Sequence, residues 1–526
     1  MEKRPGIFND VIGPIMRGPS SSHTAASWRA AKVCMDILNE PLKKAIIDFD
    51  KNGAWAPNYR EQGTSLGIEG GLLGLEIIDD RMKNTELVAN ELGISIQYEI
   101  NSFKTNHVNT FRLSLEGVNG KNIQVVAIST GGGSFEIQNI DSYEVQLCGD
   151  FYELLLFDSS KEITLEELKE MLPQSKFIVE SFNSGRRLIN MKFSNEISNE
   201  IIEKLKLALS FEKFIITKPV LPIVAGNESE LPFTSVESLL EFSEKEDLDL
   251  GALGLIYEQC QSGLEDSAVI DRMKNLVRII ENSIKTGLEG TTYEDRILPQ
   301  QSHLINKARK KNKILQDSII NQIIANVSAI MESKSAMEVV VANPTAGSCG
   351  VIGGVLRAVA DDINATHDEL IRAYFATGII GAYFAMGPGF SAEEHGCQVE
   401  CGASAGMAAA GIVQLFGGTA RQGVDAASMA IQNMIGLVCD PIADRVEAPC
   451  LGKNVSAAVN ALSSATMSCA GYNALIPLNE VLKTVSSVSS QMPSCVKCTG
   501  KGGLATTKTA CAIKEKLALK STIATA

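Results

Sequence analysis

The 526 residues contain no run of lysine and arginine that would override the chain's acidic balance, in which 48 basic against 62 acidic side chains leave a formal net charge of −14. That balance excludes nonspecific attraction to nucleic acid or to an anionic membrane surface. The opening residues Met1-Glu2-Lys3-Arg4-Pro5 carry charge with no apolar region behind it, so a secretory leader is not expected and a reducing, cytoplasmic setting is. Convincing internal repeats are missing too. Histidine is scarce, with five in the chain. No phosphate-binding glycine loop pairs with a candidate Schiff-base lysine, which leaves a pyridoxal cofactor without support.

Apolar side chains and cysteine are plentiful. Hydrophobic residues make up 45% of the chain, ample for buried cores in roughly two to four domains. Two uncharged stretches, Ala373 to Ala392 and Cys401 to Ala420, reach the length of a membrane span. Both are rich in Gly and Ala, the first contains Gly387-Pro388-Gly389, and a short polar loop separates them. Closely approaching helices in a buried core explain this pattern better than a membrane pair.

The fold class expected is multidomain. Runs at Ala45 to Phe49, Ile94 to Ile100, Thr110 to Leu115 and Ile123 to Ile128 read as strands among helices, so residues 1–142 form an α/β domain. Thr130-Gly131-Gly132-Gly133 reads as a turn, with an anion site lined by its exposed amides as the alternative. Residues 143–217 follow the order strand, helix, strand, strand, helix, strand, a ferredoxin-like α+β unit. Thr164 and Glu167 have capping-box spacing there, and Ile197, Ile201, Leu205 and Leu209 mark one helical face. Residues 218–233, with Pro219, Pro222 and Pro232, read as a linker. A helix is expected from Thr234-Ser235-Val236-Glu237, and 234–526 is mostly α-helical by pattern.

Three of the twelve cysteines stand in distinctive surroundings: Cys397 in Glu394-His395-Gly396-Cys397-Gln398, Cys439 in Val438-Cys439-Asp440-Pro441, and Cys450 in Ala448-Pro449-Cys450-Leu451. They are too dispersed for a compact cluster-binding run. Three thiolates can hold three irons of a [4Fe–4S] cluster and leave the fourth free as a Lewis acid, and buried core thiols are the plainer alternative.

These contexts resemble the iron–sulfur-dependent L-serine dehydratases, also called L-serine ammonia-lyases. So do Gly18-Pro19-Ser20-Ser21-Ser22-His23-Thr24 and Asn343-Pro344-Thr345-Ala346-Gly347-Ser348-Cys349-Gly350, and all five occur in the family's order. The resemblance implies a lyase converting L-serine to pyruvate and ammonia, with Cys397, Cys439 and Cys450 as ligands of a [4Fe–4S] cluster whose open iron draws off the β-hydroxyl. It also implies a β-type regulatory half fused to an α-type catalytic half, which many relatives carry as separate chains. The 143–217 unit resembles ACT domains, which commonly pair and bind amino acids, so an amino-acid effector and a homodimer are expected partners. Within the resemblance, His23 and Thr24 are the catalytic candidates. Ser20, Ser21 and Ser22 with Thr345, Ala346, Gly347 and Ser348 would hold the substrate carboxylate through hydroxyls and amides. His395 could tune the cluster from behind Cys397 or simply cap the surface. Cys511, following Gly502-Gly503-Leu504-Ala505, is a provisional cap on the open iron, with Cys495 and Cys498 as a rival C-x-x-C pair.

Two places depart from the family pattern. Before Gly70 to Gly74 the family usually has a Gly-His-Gly-Thr-Asp-like segment, where this chain reads Glu61-Gln62-Gly63-Thr64-Ser65. Gln62 cannot titrate as histidine does and Ser65 brings no charge. A Ser/Gly-rich family segment is also replaced by Thr291 to His303. These departures keep open the same elimination on another β-substituted amino or hydroxy acid and a non-catalytic amino-acid or redox sensor, and the cysteine sites allow a third reading as structural zinc.

Overall fold

The computed structural model of the chain describes residues 4–524 except 104, 159–162, 294 and 317, with side chains as far as 519. Its amino-terminal peptide docks far from its own sheet. One π-helical turn, Ile7–Val11, packs on the helix His367–Met386. Ile7 sits over Gly378, where an added Cβ would fall 2.7 Å from Ile7 Cγ2. The Ile7 N–H donates to Glu258 Oε2 at 2.6 Å, and Ile15–Met16 pairs antiparallel with Val340–Val341. Burial of Ile7, Val11 and Ile12 contributes roughly 1.5–3 kcal/mol each, so this peptide is a fixed part of the helical core.

The four strand-like runs become strands Leu42–Asp50, Ser95–Asn101, Thr110–Gly117 and Asn122–Gly131 of a six-stranded sheet. Leu42–Asp50 pairs parallel with Ser95–Asn101, and the remaining pairs are antiparallel. The helix Ala26–Leu38 buries Ala30, Val33, Ile37 and Leu38 with Ile47, Phe49, Phe111 and Leu113 of the sheet, the alternate-residue face expected of half-buried strands. Gly131 to Gly133 turn the Asn122–Gly131 strand into Ser134–Ile140, all three with positive φ. The sequence boundary at 142/143 needs correction. Tyr143–Leu147 is the sixth strand of this first sheet, pairing with Ser134–Ile140.

The next unit therefore starts at the strand Tyr152–Phe157. It continues through the helix Leu165–Met171, the strands Ser175–Asn183 and Arg186–Phe193, the helix Asn199–Ala208 and the strand Lys213–Thr217. Its antiparallel sheet has the fourth strand beside the first, then the third and the second. Thr164 and Glu167 form the anticipated capping box. The second helix is shorter than its apolar pattern, because Ser198 caps it and leaves Ile197 and Leu209 buried just outside its ends. The proline-rich 218–233 stretch is no free spacer: Leu221, Ile223, Leu231 and Phe233 are buried, and Asn9 exchanges two hydrogen bonds with Ile223, at 2.8 and 2.9 Å.

The helical half begins one residue later than the sequence pattern placed it. Ser235 is the cap and Ser238 its capping-box partner, in place of Thr234 and Glu237. The helix Cys401–Leu415 runs through the middle of this half, wrapped by His367–Met386, Ala420–Gln432, Cys450–Cys469 and Cys349–Asp362. Glycine permits the closeness: an added Cβ at Gly406 or Gly411 would fall 2.6 Å from Ile431 or 2.7 Å from Thr377. Among the described residues no helix is long and apolar enough to cross a membrane.

Candidate active site

Cys397 lies in the short turn Cys397–Val399 that leads into the central helix. Gly396 before it has φ +77°, and an added Cβ would meet Met492 and the Leu437 carbonyl at 2.9 and 3.0 Å. The glycine is thus required by the turn and its packing. Cys450 opens the helix Cys450–Cys469, and its carbonyl accepts from Asn454 Nδ2 at 2.9 Å. The same Asn454 nitrogen donates to the Gly347 carbonyl at 2.8 Å, which ties the Thr345 segment to the cysteine helix. Cys439 is strapped to the tail: its N–H donates to the Val496 carbonyl at 2.8 Å, and its own carbonyl accepts from the Cys498 N–H at 3.1 Å.

Cys397, Cys439, Cys450 and Cys498 are all buried, and none is in a disulfide. The ligand atoms of Cys397, Glu400 and Cys439 lie within 4.8 Å of one another. Contacts with the Cys397 and Cys498 thiols, then burial, push the Cys439 thiol well up. Burial first and the nearby Cys397 second do the same to Cys450. Burial disfavours charge on Lys453, yet Cys397, Asp440 and Cys439 outweigh it and raise its affinity for the proton. Its ammonium donates to the Val438 carbonyl and to Asp440 Oδ1, each at 2.6 Å. A second cation, the fully buried Lys334, donates to the Val446 carbonyl and bears electrostatically on Glu400 and Cys450.

The two candidate substrate segments meet. Ser21 Oγ accepts from the Ala346 N–H at 3.2 Å, joining the turn Ser21–Ala25 to the turn Ala346–Ser348. His23 is fully buried, and burial lowers its pKa to about 3 against an opposing hydrogen bond to Asn58. It is therefore neutral near pH 7, and its 3.4 Å approach to Glu393 is not an ion pair. Nδ1 shares a 3.0 Å hydrogen bond with Ser20 Oγ, while Nε2 is buried without a partner. The Thr24 hydroxyl donates to the Gln62 carbonyl at 3.3 Å, and Ser22 is buried beside it in the chain. Thr345 Oγ1 donates to Glu400 Oε1 at 2.8 Å and accepts from the Ser348 N–H at 3.2 Å. Gly347 admits Glu400: an added Cβ would lie 2.7 Å from Oε1.

Sequence reasoning missed the buried Glu393, the half-buried Glu400 and the lysine. Burial pushes Glu400 up to about 7 despite its bond from Thr345, and raises Glu393 as well. Glu400 follows Cys397 by one helical turn, the only signal that could have found it. His395 is half-buried, lowered by burial, with Nδ1 unpartnered. Cys511 is exposed on the helix Lys508–Ala524, and Cys495 is only partly buried, so of the three tail cysteines only Cys498 joins the thiol group. Gln62 also reaches it, with Nε2 3.6 Å from Cys498 Sγ. Ser65 instead lines a cleft of about 480 Å³ between the two halves, together with Pro19, Glu69, Tyr293, Arg445 and Glu447. The Thr291 to His303 stretch, apart from residue 294, which lies outside the described residues, docks on the Cys450 loop: the Ile297 and Leu298 N–H groups donate to Glu447 Oε1 at 3.0 and 2.7 Å.

The family described as the serine dehydratase alpha chain matches residues 183–505. The chain is 33% identical over 285 residues to the probable L-serine dehydratase alpha chain of Bacillus subtilis, spanning 54% of this chain and 95% of that one. It is 31% identical over 215 residues to the L-serine dehydratase beta chain of Peptoniphilus asaccharolyticus, 40% of this chain and 96% of the relative. Against L-serine dehydratase 1 of Escherichia coli it is 30% identical over 291 residues, 53% of this chain and 63% of that one. With an alpha chain and a beta chain each matched nearly end to end, this polypeptide belongs to the L-serine dehydratase family and carries both chain types fused in one.

Proposed function

We propose that the chain is an iron–sulfur lyase that dehydrates and deaminates L-serine to pyruvate and ammonia. The observation that carries this is the meeting of buried, unbridged thiols with the buried Glu393, the half-buried Glu400 and the two joined polar segments. The thiols fit an iron–sulfur group: packed together as neutral thiols they gain little, whereas as thiolates they need the positive charge that a metal and the nearby Lys453 and Lys334 provide. Bound at Cys397, Cys439 and Cys450, a [4Fe–4S] cluster with one open iron would supply the electrophile for the leaving β-hydroxyl.

The chain's own residues do the rest. Amides and hydroxyls of Ser20 to Ser22 and of Thr345 to Ser348 hold the substrate carboxylate. The buried Asn343 amide, both polar atoms unpartnered, and the unpartnered His23 Nε2 offer further polar contacts to a small acid. Glu400 takes the α-proton on its carboxylate, oriented by Thr345 Oγ1. Thr24, whose hydroxyl is held by Gln62, positions the turn and leaves proton transfer to others. The aminoacrylate then tautomerises and hydrolyses without help from the site.

Gln62, buried and turned toward Cys498, favours a second reading in which the same elimination acts on another β-substituted acid. Anaerobic assays of the iron- and sulfide-reconstituted chain with serine, threonine and cysteine separate these. Pyruvate from serine supports the first, a better rival substrate supports the second, and no elimination from any of them contradicts both. We assign the unit from Tyr152 to Thr217 an ACT-like regulatory role. The exposed Phe177, Val179 and Phe182 on its edge strand suit pairing with a second copy and an amino-acid effector between them. A cytoplasmic setting accords with the free thiols.

A further inference from the structure

Resting on the elimination reading above, we infer that Glu393 is the counter-charge for the substrate's α-ammonium and so selects an amino acid over the hydroxy acid of the same skeleton. Glu393 is buried on the short helix Ala392–His395, where Ser391 Oγ donates to its Oε2 at 3.1 Å. The helical half carries it, and the amino-terminal half closes over it. At Gly131, in the glycine turn of the first sheet, an added Cβ would fall 2.8 Å from the Ser391 nitrogen. Asn109, also buried, hydrogen-bonds the Glu393 carboxylate from the amino-terminal half, and its own Oδ1 is unpartnered. His23 Nδ1 lies 3.4 Å from Glu393 Oε1.

A buried carboxylate ordinarily has a cation beside it. Among the described residues the one basic group within ion-pair distance of Glu393 is His23, which burial keeps neutral near pH 7. Lys334 and Lys453 act on Glu400 and the cysteines instead, and the adjoining Glu394 adds repulsion. Glu393 also stands outside the group formed by the ligand atoms of Cys397, Glu400 and Cys439. A cation that arrives with the substrate completes this site. An ammonium brings three donors, and Glu393 Oε1 and Asn109 Oδ1 are acceptors with capacity to spare. The position suits a group on the α-carbon, because Glu393 faces the turn that carries Ser20 to Ser22 and bears electrostatically on Glu400, the proton acceptor. It supplies the negative charge that Ser65 does not bring.

The test uses the full chain reconstituted anaerobically, as wild type, the near-isosteric Glu393→Gln, Glu393→Asp and, as a neighbouring control, Glu394→Gln. Calorimetry reads the binding of L-alanine and L-lactate, which lack the leaving hydroxyl and differ in carrying an ammonium or a hydroxyl on the α-carbon. Turnover of L-serine and L-glycerate is read beside it. Wild type is expected to prefer alanine to lactate. Glu393→Gln is expected to weaken alanine about 10–100-fold and leave lactate unchanged, with KM for serine raised by a similar factor and bound sulfide intact. Glu393→Asp should lie between, which decides the matter if the glutamine variant does not fold, and Glu394→Gln should match wild type. If both Glu393 variants keep the alanine-to-lactate ratio, or lose the two ligands equally, while wild type makes pyruvate from serine, the inference is overturned and the proposed function stands. A wild type that prefers lactate and glycerate also overturns it. If wild type binds neither ligand and eliminates neither substrate, both fall.

Discussion

The two halves of the molecule bring different things to their meeting point. In the helical half, backbone and small residues set the chemistry: Cys397 sits on a glycine turn, Cys450 on a helix start, and Gly347 makes room for Glu400. In the amino-terminal half the contribution is side chains projected across the junction, His23 and Gln62 among them, from turns that pack beside a conventional sheet. A metal centre tolerates little movement of its ligands, whereas a substrate pocket changes its preference by exchanging single polar groups. The sequence resemblance puts the thiol contexts in the helical half and the departures, Gln62 and Ser65, in the amino-terminal half.

The sharpest way to break that contrast is to remove a thiol of the helical half. Cys439→Ala or Cys450→Ala is expected to abolish bound sulfide and pyruvate formation together, measured on anaerobic protein. Glu400→Gln is the next largest effect. It should keep the cluster's visible absorption and lower kcat by about 10²–10⁴-fold, as expected for loss of a proton acceptor. Gly347→Ala, which crowds Glu400 Oε1 at 2.7 Å, should cost roughly tenfold to a hundredfold in kcat with sulfide content unchanged. On the side of the amino-terminal peptide, Asn9→Ala deletes both hydrogen bonds to Ile223 and should cost about 1–3 kcal/mol in urea denaturation.

The last expectation is a pH dependence, read as the slope of stability against pH. Burial raises the Glu258 carboxyl to about 8 from a reference of 4.5, against the opposing Ile7 N–H bond. Folding therefore favours its protonated form. Its contribution is full below pH 4.5 and is lost as pH rises through about 8. Glu153 and Glu400, each raised to about 7, act in the same direction. Glu258→Gln should flatten the decline of the urea midpoint between these limits without removing it.

Much of this was legible in the sequence, for local reasons. The strands beginning at Leu42, Thr110 and Asn122 announce themselves by alternation, and the Thr164 capping box by its spacing. Boundaries fared worse where the last strand of one sheet abuts the next unit, so Tyr143 was placed in the wrong sheet. Cys397, Cys439 and Cys450 stand out in the sequence by their glycine and proline neighbours, while their role as ligands is implied by the resemblance alone. Cys498 was visible only as half of a C-x-x-C pair, since its alignment with Cys439 depends on a bridge between distant segments. Glu393 and Lys334 gave no sign of their burial, nor Glu400 of its half-buried place, because a charged residue is ordinarily solvated. Cys511 drew attention by its distance from Gly502-Gly503, but the helix that starts at Lys508 leaves it exposed.

The central claim is that the thiols buried in the helical half hold an iron–sulfur group. Iron and acid-labile sulfide, counted per chain in protein prepared without air, test it most directly. The account predicts about four of each with visible absorption that disappears in Cys439→Ala. Sulfide-free protein carrying zinc, or colour that survives Cys439→Ala, would contradict it.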